Sequence, residues 1–116
     1  MVNKTFLKIS LLLVELTSIP LFILISLYMI TAYGMLNPKF IGLITGLNYV
    51  TSLRIHTDTL LRISCVILTM THSYGGLTLL VTRRVRNRKI ASIIITLVTL
   101  IIVTLASIYL IAEATK

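Results

Sequence analysis

The chain has 116 residues, 57% of them hydrophobic and 12% charged, with a formal net charge of +8. A mean hydropathy of +1.03 departs from any soluble globular composition, and the length limits the chain to a single domain. One cysteine excludes an internal disulfide and a cysteine-based zinc site, and no Walker loop, GxGxxG, HExxH or GxSxG motif is present.

The first apolar run, "ISLLLVELTSIPLFILISLYMITAY" from Ile9 to Tyr33, is interrupted by a single charge, Glu15. At about 1.5 Å per residue it exceeds the ~30 Å hydrocarbon thickness, so it can span with tilt. Pro20 removes a backbone donor and predicts a kink near Leu16. Lys4 and Lys8 precede the run, and Ala32-Tyr33-Gly34 imitates a signal-peptide cleavage site. The run is longer than an h-region, and a retained anchor is expected.

The next segment, Phe40 to Leu53, is too short to span and carries two glycines, Asn48 and several hydroxyls. It reads as an extracytoplasmic interfacial or re-entrant segment. Arg54, His56 and Asp58 oppose its extension into a fourth span. Uncharged runs follow from Ile63 to Thr82 and from Ile90 to Ala112. Between them, "RRVRNRK" holds Arg83, Arg84, Arg86, Arg88 and Lys89, five of the eleven basic residues. The positive-inside rule places this loop in the cytoplasm, together with Lys4 and Lys8. The basic charge is thereby explained without a nucleic-acid partner. The expected fold is an all-α integral membrane protein with three transmembrane helices over residues 9–33, 63–82 and 90–112. Its N-terminus is cytoplasmic, its C-terminus extracytoplasmic, and Tyr28, Tyr33, Tyr49 and Tyr109 lie at the outer interface.

On the second long helix, Asp58, Arg62, Cys65, Thr69, His72, Ser73 and Gly76 collect on one stripe. Such a stripe faces protein rather than lipid, because exposed polar groups are costly in hydrocarbon. Gly75-Gly76 permits close approach of a helix or a flat cofactor. His72 lies about 16 Å from the cytoplasmic end and Glu15 roughly 10 Å, so a Glu15–His72 pair is within reach. Asp58 and Arg62 stand one turn apart and suit a helix-end ion pair. Cys65 and Tyr74 read as ordinary packing residues.

The segments "LRIHTDTLLR" and "THSYGGL", followed by "RRVRNR", resemble the haem-carrying helices of membrane cytochromes b. In that family two histidines on one helix face, at different depths, each ligate a b haem with a histidine from another helix. The resemblance implies His56 and His72 as axial ligands, Arg54 and Arg62 beside the propionates, Gly76 against the ring, and a place in an electron-transfer complex or beside a quinone site.

The residues themselves constrain this. Sixteen positions separate His56 from His72, about 24 Å of rise and about 160° of turn. A straight helix through residues 54–82 therefore puts them on opposite faces, and a homodimer could join His72 to its own copy but not His56 as well. No other histidine exists, so Met29, Met35 or a partner chain must supply a second ligand. Two further functions fit the same residues. One is a non-catalytic structural subunit, including a hydrophobic-hairpin pilin of a conjugation or secretion filament. The other is an oligomeric proton or ion path through Glu15 and His72. The abundance of Ile, Thr and Arg and the scarcity of Gln point to a thermophilic source.

Overall fold

All the long apolar runs are helical in a computed structural model, which describes residues 3–115. Five helices follow in order: α1 (Lys4–Leu36), α2 (Pro38–Thr45), α3 (Tyr49–His56), α4 (Thr59–Arg84) and α5 (Arg88–Ala114). Three of them, α1, α4 and α5, are long and apolar enough to cross a membrane.

The helix starts are set by one device. Asn3, Asn37, Asn48, Asp58 and Asn87 each precede a helix, and each side chain accepts a hydrogen bond from a first-turn backbone N–H. Pro38 adds the rigid first-turn φ that suits a helix start, and Gly46, at φ 76°, ends α2 in the left-handed region. Pro20, by contrast, sits inside α1, which runs through it without ending.

α4 packs on both α1 and α5, and α3 packs on α1. The α1–α4 seam follows a heptad rule. Ser10, Val14, Thr17, Leu21, Leu24, Tyr28 and Thr31 alternate at spacings of four and three, the period of a left-handed supercoil seam. All seven are buried or half-buried, while Leu12, Leu16, Ile19 and Phe22 on the other side are exposed. On α4 the positions set against this seam, Cys65, His72 and Gly75, are seven and three residues apart.

The interior is small and hydroxyl-rich. The largest side chains with almost no exposure are Thr31, Thr78, Ser10 and Ser52, and the apolar ones buried are Leu21, Ala91 and Ile95. Small residues let helix backbones approach where lipid tails compete equally for large apolar groups. A Cβ placed on Gly75 would lie 2.9 Å from the Ser10 carbonyl oxygen, and one on Gly34 would collide with the Ser52 hydroxyl. These two glycines set how closely α4 and α3 can lie against α1.

The interruption of the helix at Thr57–Asp58 overturns the straight-helix expectation. Asp58 is extended (φ −63°, ψ 126°) and caps α4, so α3 and α4 are separate helices with independent rotation. The angular relation between His56 and His72 is therefore not fixed by helical periodicity.

Candidate functional site

Both histidines turn toward α1. His72 Nδ1 lies 3.0 Å from Thr17 Oγ1, and His56 Nδ1 lies 3.0 Å from Thr31 Oγ1. Thr17 and Thr31 are fourteen residues apart on one face of α1, which places the two imidazoles at depths about 21 Å apart.

Each threonine hydroxyl also lies against its own preceding turn, Thr17 Oγ1 at 2.6 Å from Leu13 O and Thr31 Oγ1 at 2.9 Å from Leu27 O. A hydroxyl that donates its one proton to that turn accepts from a ring protonated at Nδ1, the tautomer whose Nε2 keeps its lone pair. Nε2 of neither ring makes a hydrogen bond among the described residues. An imidazole held through Nδ1–H with a bare Nε2 is the form that ligates metals.

The surroundings differ at the two levels. One turn on from His72, a Cβ at Gly76 would meet nothing within 4 Å, so that position opens away from α1. Gly75, not Gly76, is the position pressed against α1. At the other level, the Tyr28 ring meets His56 edge-on, with centroids 5.1 Å apart and planes at 77°. Its hydroxyl is buried and meets no hydrogen-bond partner among the described residues, so Tyr28 faces inward rather than joining an outer aromatic belt.

Several expected pairings are not made. Glu15 is exposed and does not reach His72. It stands two residues before Thr17, about 200° around α1, so helical geometry turns it to the opposite side. Asp58 spends its carboxylate on the α4 cap, accepting from Leu61 N at 3.0 Å. Arg62 instead pairs with Glu113 on α5 at 2.6 Å, and also donates to the Thr57 carbonyl oxygen. Arg62 is thus a clamp between α4 and α5. Arg54 is exposed at the end of α3.

Neither methionine of α1 shares a level with His72: Met29 lies twelve residues beyond Thr17, about 18 Å away in rise, and Met35 lies farther still. Among the described residues, no group of three His, Cys, Asp or Glu side chains converges as a metal site. The chain thus presents one imidazole at each depth. At the His72 level no methionine of α1 stands beside the imidazole, whereas Met29, two residues before Thr31, is near the His56 level and is exposed.

The polar stripe on α4 is real but bridges two neighbours. Its His72 edge bonds to α1 and its Arg62 edge to α5. The most buried residues of α4 are Gly75 and Thr78, to one side of that stripe. Sequence reasoning missed Thr17, Thr31 and Glu113. The signals for them were the seven-residue spacing of small hydroxyls along α1 and the single acid in the last turn of α5.

The chain matches no protein-family model, and comparisons with curated proteins and with solved structures also find no match.

Proposed function

We propose that this chain is a small multi-pass subunit of a membrane electron-transfer complex of the cytochrome b type, with His56 and His72 each offering one axial ligand to a b haem. The observation that carries this reading is the pair of threonine-held imidazoles, both with Nδ1 engaged and Nε2 bare, at two depths on one face of α1. Bound haem would supply one-electron chemistry. The chain's own part is to fix ring orientation through Thr17 and Thr31 and to leave room at Gly76. Because the α3–α4 break frees His56 from the α4 register, a second copy docked on the same side could complete both positions about a two-fold axis along the membrane normal.

In this reading Lys4, Lys8 and the Arg83–Lys89 loop are cytoplasmic, the C-terminus is extracytoplasmic, and α2 and α3 lie at the outer interface. The Arg62–Glu113 pair then sits near the outer boundary. An arginine already committed to a carboxylate is a poor propionate partner, which leaves Arg54 for that role.

Purified protein made with haem available is expected to show a Soret band and a split α-band on reduction, both lost in His72→Ala/His56→Ala. A colourless wild-type preparation would overturn the proposal.

The second reading is a non-catalytic structural subunit, and one observation favours it: histidine–threonine bonds and glycine–serine contacts also serve as helix glue. Thr17→Val separates the two. It should shift the haem spectrum or potential if His72 is a ligand, and only weaken helix association otherwise. Cleavage at Ala32-Tyr33-Gly34, as a hairpin pilin would need, falls within α1 and would remove Ser10, Thr17 and Thr31 from the seam. The absence of filaments by electron microscopy would count against a pilin. A proton path through Glu15 and His72 is the least supported, since the two lie on different sides of α1.

A further inference from the structure

We infer that the end of the bundle where α1 and α5 begin holds a binding site for one anionic phospholipid. A cavity of about 890 Å³ opens there between the first turns of α1 and α5 and the last turn of α4. Lys4, Arg86, Arg88 and Lys89 all line it, and no acidic residue does. The chain's three acids are remote: Asp58 and Glu113 belong to the opposite end, and Glu15 lies eleven residues along α1, about 16 Å away.

The backbone adds to the same sign. Both α1 and α5 start at this cavity, and neither has an acid in its first turn, so two positive helix ends stand uncompensated beside four cations. The rest of the wall mixes the polar Asn3, Thr82 and Ser92 with an apolar stretch of Leu7, Val85, Ala91 and Ile93, and Ile93 is 61% exposed. Charge at the mouth and hydrocarbon along the wall suit a molecule with both parts. A phosphodiester headgroup would sit among the four cations while an acyl chain follows the α1 and α5 surfaces. A free phosphate would use only the mouth, and the apolar wall would gain it nothing.

Topology alone does not explain the arrangement. The positive-inside rule counts all five basic residues of the 83–89 segment alike. Arg83 and Arg84 do not line the cavity, whereas Arg86, Arg88 and Lys89 do, together with Lys4. This inference rests on the membrane-spanning character of the helices and is independent of haem binding.

The test uses the full chain purified in mild non-ionic detergent and native mass spectrometry. The probes are phosphatidylglycerol, phosphatidylcholine with the same acyl chains, and inorganic phosphate. One phosphatidylglycerol per chain should be retained at least tenfold more strongly than phosphatidylcholine, and millimolar phosphate should not displace it. At about 1 kcal/mol per cation near a lipid surface, Arg86→Gln/Arg88→Gln should weaken retention about 30-fold. Arg83→Gln/Arg84→Gln, which removes the same charge, should change it less than threefold. Equal retention of the two lipids, equal loss in the two double variants, or full displacement by phosphate would each overturn the inference.

Discussion

Gly75→Ala and Gly76→Ala differ by one position, and the structure predicts opposite outcomes for them. A Cβ at residue 75 would stand 2.9 Å from both the Ser10 carbonyl oxygen and Val14 Cγ2. Carbon contacts are comfortable near 3.5 Å, so α1 and α4 must separate locally by roughly 0.5 Å. The backbone oxygen cannot swing aside. The same displacement would stretch the Thr17–His72 hydrogen bond from 3.0 Å toward the distance at which it ceases to count. Overpacking of this kind costs about 1–3 kcal/mol.

At residue 76 nothing lies within 4 Å, so the added methyl meets open space. Replacing glycine by alanine within a helix stabilises by up to about 1 kcal/mol, and that gain is common to both variants. Their difference therefore isolates the packing effect, at about 1–3 kcal/mol, or about 5- to 150-fold in the open fraction. The lone cysteine, half-buried Cys65, supplies the assay. Maleimide labelling in mixed micelles, with increasing dodecyl sulfate, reports the opening of the α1–α4 seam. Gly75→Ala should label faster than wild type and Gly76→Ala no faster. Equal labelling of the two variants would refute the assigned seam.

Thr17→Val and Thr31→Val each keep volume and remove the acceptor for an imidazole N–H. Each should destabilise by about 0.6–2 kcal/mol in the same labelling assay. Nitrogen-15 spectra of histidine-labelled protein should show the Nδ1–H tautomer in wild type, and its loss at the affected ring in each variant. Gly34→Ala should loosen α3 through its collision with Ser52, and Ser52→Gly should restore protection of α3 amides against exchange. Arg62→Gln and Glu113→Gln should each lower stability, more at low salt than at high, and the double variant should lose little beyond either single one.

The three long helices were legible because lipid demands long, mostly apolar runs, and α1, α4 and α5 each hold an apolar window long enough to cross, despite Glu15 in α1 and Arg62 and His72 in α4. The break between α3 and α4 was less visible. Asp58 followed by Thr59-Leu60-Leu61 is a helix-start pattern, but with Arg62 one turn on it also reads as an ion pair, and the cap is what forms. His72 was placed on the protein-facing side correctly, while its partner was sought among charges. Glu15 was the obvious acid, yet its position two residues from Thr17 turns it away. Threonines in an apolar stretch look like residues that lipid tolerates, because a hydroxyl can bond its own preceding turn. Here the same hydroxyl also lies at hydrogen-bond distance from a histidine ring nitrogen. Glu113 lies just beyond the end of the last apolar run, and only the fold brings α5 back alongside Arg62.

A protein whose centre is serine and threonine, with its aliphatic bulk turned outward, responds to temperature differently from a water-soluble domain. Separating α1 from α4 within a bilayer moves leucine and isoleucine from one oily surrounding to another, so little apolar surface meets water. The heat-capacity change of that separation should then be small, and the stability curve close to a straight line, without the low-temperature downturn that hydrophobic cores impose.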